Sequence, residues 1–72
     1  MSQLLLESSP VAQALRRNAL PPLRQIDVEE KDSTVVLTGR VGSYYFKQLA
    51  QEAVMPLLAG RKLLNRVEVV KE

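Results

Sequence analysis

Residues 34–54, TVVLTGRVGSYYFKQLAQEAV, change their apolar period half-way along, and this change restricts the chain to few architectures. Val35, Leu37, Gly39 and Val41 alternate with Val36, Thr38 and Arg40, the period of a strand with one buried face. From Phe46 onward the apolar residues recur every three or four positions, through Leu49, Ala50, Ala53, Val54 and Leu57, as one stripe of a helix. Gly42 and Ser43 turn the chain between them, and Ser43 stands where a helix needs a capping hydroxyl. Of the two tyrosines that follow, Tyr44 is directed away from the stripe and Tyr45 borders it. A half-buried strand that runs straight into an amphipathic helix calls for a sheet covered by helices. Gly39, inward on its strand, marks a close approach, expected from the helix that follows.

The rest of the chain completes the pattern. Ser8, Ser9 and Pro10 form a helix start, with a hydroxyl acceptor ahead of a proline that has no N–H to leave unpaired. The spacing of Val11, Ala14, Leu15 and Ala19 predicts a helix over 10–19, which Pro21 and Pro22 end. Alternation starts at Leu23, with Ile26 and Val28 against Gln25, Asp27 and Glu29. Asp32 and Ser33 supply a turn, so the first two strands form an antiparallel hairpin. Pro56 breaks the second helix near Met55, and Gly60 suits its stop. Leu63, Asn65, Val67 and Val69 then alternate with Leu64, Arg66, Glu68 and Val70. The expected class is α+β, an αββαβ order with two helices on one face of a small three-stranded sheet. Residues 1–8 are expected to be a flexible segment and 9–72 one domain.

The chemistry open to such a chain is narrow. Among its 72 residues there is no cysteine and no histidine, which removes thiolate chemistry, sulfur-bound metal and the usual base at neutral pH. Asp27, Glu29 and Glu68 point outward on strands, where solvent leaves a carboxylate untuned for acid or base work, and pairing with Arg40 or Arg66 is expected instead. No enzymatic activity, metal or cofactor is expected. The apolar runs fall short of the roughly 20 residues that span a bilayer, and the N-terminus lacks the basic start of a secretory signal. As written, the sequence reads as cytoplasmic. Ten Lys and Arg stand against eight Asp and Glu, a net charge of +2. Nucleic acid is disfavoured as a partner, because there is no GxxG loop between helices and no aromatic ring on the outer strand positions to stack a base.

The spacing V-x-L-x-G-x-V at Val35, Leu37, Gly39 and Val41, with VAQAL before it and NRVEV after it, resembles the BON domain, named for bacterial osmotic-stress and nodulation proteins. The resemblance spans nearly the whole chain. It differs in having Ser33 where the family has a hairpin glycine, and Gly60-Arg61 where it has Gly-Val. The resemblance implies an αββαβ fold, no catalysis, and attachment to phospholipid or another component of the bacterial periplasm or cell envelope.

Gly39, Gly60, Phe46 and Leu37 are expected to be architectural. A head group or partner is expected to meet Gly42, Ser43, Tyr44 and Lys47 at the start of the second helix, where exposed N–H groups and the helix dipole favour an anion. Arg61, Lys62 and Arg66 form the best basic cluster, beside Gly60, good for about 1 kcal/mol of attraction to anionic lipid per charge. A solvated rim is the plainer reading of those three. Leu4, Leu5 and Leu6, with Met55, Leu58, Val36 and Val70, leave self-association or contact with another protein as the alternative to a membrane surface.

Overall fold

A computed structural model describes residues 9–70, and the expectations for 1–8, with Leu4, Leu5 and Leu6, lie outside them. Helix α1, Pro10–Arg16, begins as its sequence dictates: Ser9 Oγ accepts the Ala12 amide at 3.2 Å and Pro10 occupies the first turn. It stops three residues before Ala19. Asn18 ends it, because its side chain accepts the Leu20 amide at 2.9 Å and so favours a turn over another helical bond. The two prolines do more than stop a helix. They open a second one, α2, Pro21–Arg24, which the alternation expected from Leu23 missed. Arg24 Nε donates to the Asn18 carbonyl at 2.9 Å and holds this turn closed.

Strand β1 is therefore shorter than its pattern suggested, Asp27–Lys31. Asp32, at φ 49°, and Ser33 turn the chain into β2, Thr34–Val41, and the hairpin pairs Asp27 with Thr38 and Lys31 with Thr34. Helix α3, Tyr44–Val54, follows, and a 3-10 turn, Met55–Leu57, ends it at Pro56 as expected. Ala59 and Gly60 both take positive φ, at 53° and 83°, and release the chain into β3, Lys62–Val69. β3 lies parallel to β2, Thr34 opposite Lys62 and Val41 opposite Val69, so the sheet is mixed with the order β1-β2-β3. A parallel neighbour requires a crossover, and α3 is that crossover.

The inward faces and the helices share one core. Val35, Leu37, Val41 and Val67 from the sheet meet Val11, Leu15, Leu23, Ala50 and Val54 from the helices. Phe46, Leu49, Ala53 and Leu57 pack on its margin half-buried, as the stripe foretold. Each fully buried leucine, Leu15, Leu23 and Leu37, contributes about 1.5–3 kcal/mol. The helices thus cover one face, and the other face carries the exposed Thr38, Arg40, Arg66 and Glu68.

Gly39 corrects one expectation. Its neighbour is the backbone between α2 and β1, since a Cβ there would lie 3.4 Å from Ile26 Cα and 3.7 Å from the Gln25 carbonyl oxygen. Helix α3 sits elsewhere. The close approach exists because α2 delivers the chain to the sheet at Gln25, a detour hidden by the alternating pattern.

Candidate functional site

The candidate residues are spread along the sheet, with Gly42, Ser43 and Tyr44 at one end, Arg61 and Lys62 at the other and Arg66 midway. At the ends of β2 and β3 lie Gly42, Ser43 and Tyr44. Ser43 has the extended backbone of a cap residue, φ −154° and ψ 157°, but its hydroxyl makes no capping bond, unlike that of Ser9. The first amides of α3 gain nothing from it. Tyr44 and Tyr45 are 64% and 65% exposed, so Tyr45 stands as free of the core as its neighbour, although its ring lies 5.6 Å from that of Phe46. Lys47, one turn along from Tyr44, is half-buried. Beside this end a shallow groove of about 450 Å³, wide open to solvent, is bordered by Pro21, Pro22, Gln25, Arg40, Gly42 and Val70. It is open and encloses nothing.

Arg61, Lys62 and Arg66 do not form one basic patch. Arg61 is engaged: Nη1 reaches a Glu30 oxygen at 2.7 Å, Nε donates to the Leu58 carbonyl at 2.8 Å and Nη2 to the Leu57 carbonyl at 3.1 Å. It closes the last turn after α3 onto β1. Lys62 and Arg66 are exposed on the outer face of β3, opposite Thr34 and Thr38. Four residues of strand separate them by about 13 Å. Gly42 stands farther off, because Val41 is seven strand residues beyond Thr34, about 23 Å. The order strand–helix–strand contained the warning. A parallel crossover returns the chain to the start of the first strand, away from Gly42.

No residue pattern signals the cluster that Arg61 joins. Ser9 Oγ, while capping α1, donates to the second Glu30 oxygen, so one carboxylate ties the start of α1 to the end of the 3-10 turn. The Ser9 hydrogen bond holds the Glu30 carboxyl below its ordinary value, desolvation opposes it, and Arg61 adds to the lowering. The residue as a whole stays on the surface, yet its side chain is only 30% exposed. This is a structural clamp, in which all three Arg61 side-chain nitrogens are engaged.

Asn65 is a second residue whose part was hidden. From an inward position on β3 it donates Nδ2 to the Lys47 carbonyl at 3.1 Å and to Gln51 Oε1 at 3.4 Å, and it accepts the Val67 amide at 3.2 Å. It ties β3 to the first half of α3.

Of the exposed carboxylates, Glu68 pairs across the sheet with Arg40 at 3.6 Å, as expected, whereas Glu29 pairs with Lys31 at 3.4 Å on its own strand. Among the described residues no three acidic, histidine or cysteine side chains converge to hold a metal ion, and no helix is long and apolar enough to cross a membrane. No family model, curated protein or solved structure matches the chain.

Proposed function

We propose that the chain is a non-enzymatic binding module of BON type that rests on an anionic phospholipid surface by the end that carries Tyr44 and Tyr45. The supporting observation is the exposure of both rings, side by side, at the start of an eleven-residue helix, with Val70 exposed at the same end of the sheet. An amphipathic ring pair suits the interfacial depth of a bilayer. Lys47 and Arg40, the latter paired with Glu68 at 3.6 Å, are the cations at that end, while Arg61 is withdrawn into its clamp, so adhesion is weak and sensitive to salt. Periplasmic or envelope residence goes with this reading.

Co-sedimentation with vesicles tests it. Zwitterionic vesicles and vesicles with an anionic fraction are compared at low salt. The protein is expected in the pellet of the second alone, and equal recovery in both supernatants overturns the reading.

A second reading, an assembly module that self-associates, is favoured by a different observation. β3 is an eight-residue strand at the border of the sheet, with no backbone paired to its far side among the described residues.

A further inference from the structure

The direction in which the β3 backbone groups point follows from its bonds to β2. The amides of Lys62 and Val70 donate to the carbonyls of Ser33 and Val41, both at 2.8 Å. In a parallel ladder alternate residues face the same neighbour, so Leu64, Arg66 and Glu68 face β2 as well. Leu63, Asn65, Val67 and Val69 therefore turn their backbone groups to the free border. The side chains of Leu64, Arg66, Glu68 and Val70 stand on the outer face of the sheet, and Val70 remains 44% exposed.

We propose that this border pairs antiparallel with β3 of a second copy, about a two-fold axis at Val67, joining the two sheets into one of six strands. The proposal rests on the assembly reading and adds the surface, the register and the residues that fix it. Charge selects the register. With the axis at Val67, Arg66 stands opposite the partner's Glu68 and Leu64 opposite the partner's Val70, and the symmetry repeats both pairs. An axis at Arg66 sets that cation against itself, and one at Leu64 sets Lys62 against the partner's Arg66. An axis at Asn65 pairs Lys62 with the partner's Glu68 but puts Leu64 against the partner's Arg66, and one at Glu68 brings two carboxylates together. Of these registers, only the one at Val67 combines a charge match with an apolar partner for Val70 and leaves no cation against an apolar side chain.

Asn65 sets the strength of the pairing. Its Oδ1 holds the Val67 amide at 3.2 Å, the group that would donate across the axis. Pairing exchanges that bond for one to the partner's Val67 carbonyl, while Nδ2 stays on the Lys47 carbonyl. The centre of the ladder gains little by the exchange. Association is therefore driven by the outer rungs and the charge pairs, and is weak and dependent on concentration.

Sedimentation equilibrium of the full chain from micromolar to millimolar concentration tests this, with Arg66→Glu, Glu68→Arg and the double reversal. Both residues are exposed, so the variants fold, which circular dichroism checks. Each single reversal is expected to weaken the dimer about tenfold or more, and the double reversal to restore it to within about threefold. In parallel, the amides of Asn65 and Val69 are expected to gain protection from hydrogen exchange as concentration rises, while those of Leu64 and Arg66 do not change. A strict monomer at about 1 mM overturns both this pairing and the assembly reading. A dimer indifferent to the single reversals, or not rescued by the double, overturns the pairing and leaves assembly through another surface.

Discussion

Arg61 and Glu30, thirty-one residues apart in sequence, are joined at 2.7 Å between Nη1 and Oε1, and this contact locks the end of α3 to the first strand. Because Ser9 and Arg61 lower the folded-state pKa of Glu30 below its ordinary 4.5, the carboxylate adds stability that is complete above that value. As pH falls through the lowered value, protonation removes it. Wild type is therefore expected to lose stability on acidification below about pH 4.5, and Glu30→Gln to lose less over the same window. At pH 7 the variant should be less stable by about 1 kcal/mol, the low end for charged hydrogen bonds because the side chain is partly solvated. Urea unfolding at a series of pH values measures both, and parallel acid profiles would dismiss the clamp.

Gly39 has φ 141°, a backbone that side chains rarely adopt, and its missing Cβ faces the Ile26 backbone at 3.4 Å. Gly39→Ala should lower the unfolding free energy by about 1–3 kcal/mol, from strain together with crowding at Ile26. Gly42→Ala is the control, since a Cβ there meets nothing within 4 Å and the backbone is ordinary, and its change should stay within about 0.5 kcal/mol. Similar midpoints for the two variants would show that the Ile26 approach is loose.

What could be read in advance divides along physical lines. β2 and α3 were legible because eight and eleven residues of sustained apolar period leave one solution each. α2 was not, since four residues carry no period and Pro21 and Pro22 look the same whether they end a helix or begin one. Hence residue type marks Gly39 as a point of close approach but does not reveal Ile26 as its neighbour. The exposure of Tyr44 follows from helix position, a local property. The clamp of Ser9, Glu30 and Arg61 does not, because cap, strand and turn residues meet only after the sheet has formed. The placement of Lys62 was hidden for the same reason: which end of the sheet receives it depends on the direction of β3.

Asn65 provides a separate check on how helix and sheet are joined. Asn65→Ala removes the bonds to Lys47 and Gln51 from a half-buried inward position, and a loss of about 1–2 kcal/mol is expected. The Val67 amide, freed of its Asn65 acceptor, should exchange faster by more than the global loss explains. Exchange at low protein concentration resolves this residue by residue. Uniform acceleration across β3 would mean that Asn65 acts only through overall stability.

The two tyrosines are equally exposed but not equally attached. Tyr45 has its ring 5.6 Å from Phe46 at a tilt of 58°, whereas Tyr44 has no ring contact among the described residues. Tyr45→Ala should therefore cost about 0.5 kcal/mol of stability, and Tyr44→Ala nothing measurable. On anionic vesicles the order should differ: if both rings enter the interface, each substitution weakens binding and the double variant abolishes it. Thermal unfolding and co-sedimentation on the same samples separate the two effects. A double variant that unfolds like wild type and still pellets with anionic lipid would move the membrane-facing surface away from α3.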